Sequence, residues 1–256
     1  MRKSISGAVL LQACLCLFLG GAASAQEEQA EARETYAYVT YFVCDITRQE
    51  RADEIFAEIQ KQIYDAGVAD GTINGWGWLA HHTGGKWRRV LYYGSGSVQG
   101  LLDAQKKLGD QVDAKNEKLS EEFGKICNSH DDYIWRTVAG NFGTGTAARG
   151  SAAFSTYFVC DQTREAEADA LVTQVFGPVY DKMVADGKLK SWGWNEHIVG
   201  GSYRRLATIT ATDMKALMEA RDGVVQALID NPLGNTFTDI CGDHTDYMWD
   251  ITSQNP

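Results

Sequence analysis

Thr40-Tyr-Phe-Val-Cys-Asp-Ile-Thr-Arg48 returns 116 positions later as Thr156-Tyr-Phe-Val-Cys-Asp-Gln-Thr-Arg164, with only Ile46/Gln162 changed. Working outward, Trp76-Gly77-Trp78 and His81 match Trp192-Gly193-Trp194 and His197 at the same offset. Further on, Ile126-Cys127, His130, Asp132-Tyr133 and Trp135 match Ile240-Cys241, His244, Asp246-Tyr247 and Trp249, now 114 apart. A repeat of about 100 residues is domain-sized, so the chain reads as two copies of one unit rather than a solenoid of short repeats.

Each copy presents the same order of elements. Tyr38–Cys44 is β-branched and aromatic, hence a strand. Ala52, Ile55, Phe56, Ile59 and Ile63 then keep helical spacing, as do Ala168, Leu171, Val172, Val175 and Val179. Thr47 with Glu50 suggests a capping box, and Gly177-Pro178 suggests a kink in the second copy. Asp70-Gly71 and Asp186-Gly187 are helix stops. A strand around Trp76–Trp78, a turn at Gly84-Gly85 (Gly200-Gly201) and a return strand at Trp87–Tyr93 (Tyr203–Ile209) make a hairpin. Ser97 and Asp213 are N-caps for a second helix. A last strand, Asp132–Val138 or Asp246–Ile251, closes the unit.

The order β-α-β-β-α-β is the ferredoxin-like split motif, with strands side by side as 4-1-3-2. Tyr38-Val-Thr-Tyr-Phe-Val43 is apolar on both pleat faces, so both faces require cover. Helices cover one, and the other copy's sheet is the natural cover for the second. The fold class expected is therefore α+β, with tandem ferredoxin-like units whose sheets pack face to face as an α+β barrel. In this the chain resembles the dimeric α/β-barrel superfamily with both halves in one polypeptide.

That resemblance implies a cofactor-free or haem-handling monooxygenase, a peroxidase-like enzyme, a small-molecule isomerase or a stress-responsive protein without catalysis. Some oxygenases of the superfamily place Asn, Trp and His about the substrate. Trp76 and His81 are present here, but no matched Asn accompanies them.

The expected domains are a signal peptide over 1–25, an acidic leader over 26–35, repeats over 36–138 and 153–256, and a Gly/Ala/Thr-rich linker over 139–152. Arg2-Lys3, the short apolar stretch Ala8–Leu19 and Ala23-Ser24-Ala25 carry the signal-peptide reading. Leu11-Gln12-Ala13-Cys14 fits a lipoprotein box poorly. The protein is expected in the periplasm or secreted, cleaved near Ala25, with no membrane span. It is expected to be a monomeric pseudo-dimer.

Two of the six cysteines, Cys14 and Cys16, fall in the expected signal peptide, leaving Cys44, Cys127, Cys160 and Cys241. Four allow three pairings, and the repeat favours Cys44–Cys127 with Cys160–Cys241. The formal charge of −10, with no basic stripe, argues against nucleic acid as a partner.

The repeated polar residues converge on one end of each sheet. Asp45/Asp161 end the first strand, His81/His197 the second, Arg88/Arg204 open the third and His130/His244 the fourth. These residues either satisfy strand-end backbone groups at the disulfide corner or contact a ligand. In the second case Asp45, Arg88, His130, Asp161, Arg204 and His244 are ligand-binding candidates, with His81 and His197 as catalytic bases. No spacing supports a metal site, and no motif indicates a cofactor. In each of Arg88-Arg89 and Arg204-Arg205, one side chain at most enters the barrel. The other meets solvent or a carboxylate such as Asp45 or Asp132.

Three functions follow: a small-ligand binder holding its ligand in or at the mouth of the barrel, a monooxygenase- or isomerase-type enzyme, or a disulfide-stapled scaffold acting through a protein partner. A filled interior favours the third.

Overall fold

The structure, a computed structural model, describes residues 35–143 and 149–255. The expected signal peptide and the acidic leader therefore lie outside the described residues, apart from Thr35, as does the middle of the linker. Eight strands form one closed antiparallel barrel in the order β1-β3-β2-β8-β5-β7-β6-β4. They are β1 Tyr36–Val43, β2 Gly75–Thr83, β3 Arg89–Ser95, β4 Ser129–Asn141, β5 Ala152–Val159, β6 Ser191–Val199, β7 Arg205–Ala211 and β8 Asp243–Asn255. Each half contributes the expected order 4-1-3-2.

The halves meet differently from two stacked sheets. Pairs β2–β8 and β4–β6 join their edges by backbone hydrogen bonds, so the facing surfaces are opposite walls of one lumen. Closure leaves no unpaired edge. It also explains why β4 runs three residues into the expected linker. Tyr36–Val43 covers its first part, whereas Ile134–Asn141 pairs with β6 of the other half. β8 is divided in the same way between β5 and β2.

The helices wrap the outside: α1 Gln49–Ile55, α2 Lys61–Ala69, α3 Val98–Lys115, α4 Glu117–Ile126, α5 Glu165–Leu171, α6 Gly177–Ala185, α7 Met214–Leu228 and α8 Pro232–Cys241. Ser97 and Asp213 cap α3 and α7 by accepting from the Gly100 and Ala216 amides. The Thr47/Glu50 capping box does not form. Asp45 instead accepts from both the amide and the hydroxyl of Thr47, an Asx turn that competes for the same groups.

A π turn, Phe56–Gln60, joins α1 to α2, and its twin Val172–Phe176 joins α5 to α6. Pro178 sits in the first turn of α6, where its missing N–H costs little. Because the first half makes the same turn without proline, Pro178 does not cause it. α4 and α8 are the main departure from the expected single second helix.

Both faces of β1 are used. Tyr38 packs under the helices with Ile55, Phe56, Trp76, Trp78 and Leu101. Val39 and Tyr41 point into the lumen with Trp87, Tyr133, Trp135, Tyr157, Tyr247 and Trp249. The two staples form as expected, Cys44–Cys127 and Cys160–Cys241. At the hairpin after β2, Gly84 holds φ 132° directly beneath Tyr247, where a Cβ would collide with the ring and with the Asp246 carbonyl. No described helix is long and apolar enough to cross a membrane.

Candidate functional site

The disulfide end of the barrel is plugged by aromatic rings. Trp87 stacks on Tyr41 at 4.2 Å and on Tyr247 at 5.0 Å, while Tyr157 meets it edge-on at 5.1 Å. Trp87 Nε1 donates to Asp131 at 2.7 Å, and Tyr203, its twin, donates to Thr245 Oγ1 at 3.0 Å. Burial raises the pKa of Tyr41 and of Tyr157, so both phenols stay neutral and act as packing with a polar tip.

The predicted polar residues do gather at this end, but strand alternation divides them between two faces. His81 and His197 lie on the lumen side, edge-on to Trp249 and Trp135 respectively, each across a seam onto the other half. Arg88 Nη1 sits against the His81 ring, 2.9 Å from Nδ1 and 3.0 Å from Nε2, whereas Arg204 Nη1 is 2.7 Å from His197 Nδ1 alone. Burial and the adjacent guanidinium lower both imidazole pKa values. A neutral ring that accepts at Nδ1 from arginine carries its proton on Nε2, and His197 Nε2 is buried without a protein partner.

His130 and His244 stand on the helix side, exposed, facing Asp132 and Asp246 at 3.1 and 3.7 Å. Asp45 and Asp161 each hold the Thr two residues on, and those hydrogen bonds lower their pKa values. No described cluster has the make-up of a metal site.

Arg89 and Arg205, the inner members of the arginine pairs, turn out of the lumen into the layer beneath the helices. Their partners are not Asp45 and Asp132. Arg89 forks onto Asp53 at 2.6 Å, and Arg205 onto Asp169 at 2.7 Å. The same carboxylates accept from Trp78 and Trp194 Nε1. Asp53/Asp169 and Asp65/Asp181 are matched pairs on helices whose other charged positions diverge, a signal present in the sequence but masked by that divergence. The Trp-Gly-Trp residues are core, as their size suggests.

Among the described residues two cavities stand out, and none of the predicted polar residues lines either. The larger, about 410 Å³, lies in the C-terminal half between the outer faces of β5, β6 and β7 and helices α7 and α8. Trp194, Phe158 and Phe237 floor it, and exposed Val225 and Ile229 stand at its rim. Its origin is visible by comparison with the first half. There Phe56 stacks on Trp78 at 4.3 Å and 7°, with Leu91 and Tyr93 alongside. The equivalent residues are Val172, Ala207 and Ile209, all smaller, which leaves open volume beside Trp194, although Phe158 and Phe237 pack on that ring and keep it buried. Arg221 lies 4.9 Å over Phe154 in the same wall.

A haem, which the fold resemblance brings into question, needs an axial ligand. No His, Cys or Met lines the pocket, and burial raises the pKa of the Tyr180 phenol. The residues do not fit that group.

The smaller cavity, about 250 Å³, is the lumen mouth opposite the disulfides. Tyr41, Tyr157 and Trp135 form its floor, and Asn74, Phe142, Arg149 and Gln254 its rim.

No family model matches this chain, and no curated protein does. Solved structures match in fold. A "putative monooxygenase" from Lactobacillus acidophilus superposes with a TM-score of 0.60 at 7% identity, covering 86% of this chain and 95% of its own. Another described in the same words, from Fusobacterium nucleatum, gives 0.59 at 7%, covering 88% and 95%. A chlorite dismutase variant from Candidatus Nitrospira defluvii gives 0.53 at 9%, covering 86% and 92%. At such identities the likeness is one of fold, the α+β barrel, and function is argued from the site.

Proposed function

We propose that this protein binds a small, apolar, aromatic-bodied molecule between the barrel wall and the helices of its C-terminal half. The observation that carries this reading is the vacated volume beneath α7. Three core positions that are filled by Phe56, Leu91 and Tyr93 in one half hold Val172, Ala207 and Ile209 in the other. A pocket of this size, apolar with a few polar groups at its edge, has the character of a small-molecule site. The expectation of a ligand at the barrel mouth thus moves, for the main site, to the layer outside the barrel.

The same reading treats the chain as a single-chain counterpart of a dimeric barrel, two copies of one unit over 36–138 and 153–256. It acts as a monomer, exported behind a signal peptide ending near Ala25. The two disulfides suit an oxidising compartment.

Catalysis by His81 or His197 as a base would require Nδ1 to leave its arginine. No feature of the arrangement favours that step, so binding is preferred to turnover. A scaffold role is less well supported, because only the disulfide end of the interior is filled.

The test is native mass spectrometry of the exported protein, for a retained molecule, with titration by anilinonaphthalene sulfonate read through tryptophan quenching, since Trp192 and Trp194 line the pocket. Saturable quenching that disappears in Ala207→Leu supports the reading. A titration identical in wild type and Ala207→Leu overturns it.

A further inference from the structure

The lumen mouth has two chemically different walls. From the first half it takes Ala37, Val39, Leu79, Val90 and Tyr92. The matched positions of the second half are Ala153, Ser155, Asn195, Leu206 and Thr208, with Ser191 and Thr210 facing Gly75 and Gly94 across the pseudo-symmetry. Ser155, Ser191 and Thr210 are all more than nine-tenths buried.

Burying hydroxyls costs free energy that apolar residues avoid. Because the first half closes the same barrel with valine, leucine and tyrosine, the fold itself does not demand them. Ser191 and Thr210 bond to each other at 2.7 Å, and Asn195 is held by Thr137 and the Leu206 carbonyl, so this wall is ordered.

Among the described residues Arg149 is the single charged side chain lining this cavity, in a chain of net charge −10. No described carboxylate pairs with it. Its backbone is pinned between Gln254 and the following residue: Gln254 Oε1 accepts from the Arg149 amide, and Gln254 Nε2 donates to the Gly150 carbonyl. Its guanidinium lies 5.3 Å over the Phe142 ring, at the rim. A cation at the lip, an apolar wall, a hydroxyl-bearing wall and a floor of phenols bear on ligand class. The volume exceeds the roughly 150 Å³ that accepts benzene.

We infer that the lumen mouth is a second binding site, distinct from the pocket beneath α7, for a small hydroxylated aromatic monocarboxylate. The ring lies against Leu79, Val90 and Tyr92, its hydroxyl meets Ser155 and Thr208, and its carboxylate meets Arg149 at the rim. Guanidinium–carboxylate pairing supplies the selection for an acid over its neutral analogue.

The experiment is calorimetric titration of the full protein with 4-hydroxyphenylacetate and with 4-hydroxyphenylacetamide. Wild type is expected to bind the acid at least tenfold more tightly than the amide. Arg149→Gln should remove that preference while leaving amide binding within a factor of two. Thr208→Tyr installs the residue that the first half carries at this position, where Gly77 leaves room for Tyr92 just as Gly193 does for Thr208. It should abolish binding of both probes without lowering the melting temperature. Ala207→Leu, which fills the other pocket, should leave the acid's affinity unchanged.

The inference is overturned if wild type binds neither probe at millimolar concentration, or if Arg149→Gln keeps the acid preference. It is equally overturned if the acid still binds Thr208→Tyr, or if Ala207→Leu is the variant that loses it. If Thr208→Tyr fails to fold, Ser155→Val, the first-half identity at Val39, takes its place and should weaken the hydroxylated acid relative to phenylacetate.

Discussion

Replacing Val172 by Phe rebuilds in the second half the stack that Phe56 makes on Trp78 at 4.3 Å in the first. The added side chain occupies about 50 Å³, worth about 1.2 kcal/mol at about 24 cal/mol per Å³ of cavity removed. A stacked aromatic pair contributes about 0.5–1.5 kcal/mol beyond its area. The rim at Val225 and Ile229 is open to solvent, so part of the gain is lost, and about 1–2 kcal/mol remains. For a barrel of this size that raises the melting temperature by about 2–8 °C. The reciprocal change, Phe56→Val, empties a filled core and should cost about 2–3 kcal/mol. Calorimetry or circular dichroism on the two single variants reads both signs. Opposite signs for chemically reciprocal swaps at matched positions are the expected result. A fall in melting temperature for Val172→Phe, corresponding to the destabilisation of about 1–3 kcal/mol typical of overpacking, would show that the space is not there.

Three further outcomes follow. His81 and His197 have lowered pKa values in the fold, so the unfolded chain binds more protons as pH drops. Their contribution is complete above about pH 6.5 and is lost as pH falls through and below that value. Denaturation midpoints between pH 7.5 and 5 should fall, and the double change to Gln should flatten the slope, while the Asp45 and Asp161 carboxylates act only at lower pH. Removing one staple, Cys44→Ala with Cys127→Ala, opens a loop of 83 residues and should cost about 4.5 kcal/mol in urea unfolding on the loop-entropy model, with the second staple giving nearly the same. Asp53→Ala leaves the buried Arg89 guanidinium with Gln49 and no carboxylate and should cost about 3–5 kcal/mol, measured in the same way, and more than Asp169→Ala, after which Glu165 still pairs with Arg205 at 3.1 Å.

Much of the architecture was legible in the sequence because it rests on residues the halves share. The doubly apolar run Tyr38–Val43 required cover on both faces, and the matched cysteines fixed their own pairing. What could not be read was how the edges join, since that depends on β4 and β8 dividing their length between two partners through bulges. The polar residues were placed at the correct end of the barrel. Their division between lumen and helix faces depends on a one-residue phase that strand ends do not announce. Asp53 and Asp169 were missed because an acidic residue on an amphipathic helix resembles any solvated one until its arginine is seen beneath it.

A ligand space at the barrel mouth was expected, but the residues that line it and the whole pocket beneath α7 escaped for a different reason: both lie where the halves disagree. Shared residues report what the barrel needs in order to close, and the first half demonstrates that it closes well with a filled layer and an apolar lumen. Leu91 and Ala207 stand at matched positions, and a buried Leu→Ala change ordinarily costs about 2–5 kcal/mol in a domain whose whole stability is about 5–15. Adding the Phe56/Val172 difference and the buried hydroxyls of Ser155 and Thr210 multiplies the deficit in one half alone. A molecule seated in the vacated space restores the lost contacts and adds its binding free energy to the folded state. On the proposed reading the divergent interior is where specificity resides, and an excess of melting temperature in the freshly purified protein over the same protein stripped of small molecules is its thermodynamic signature.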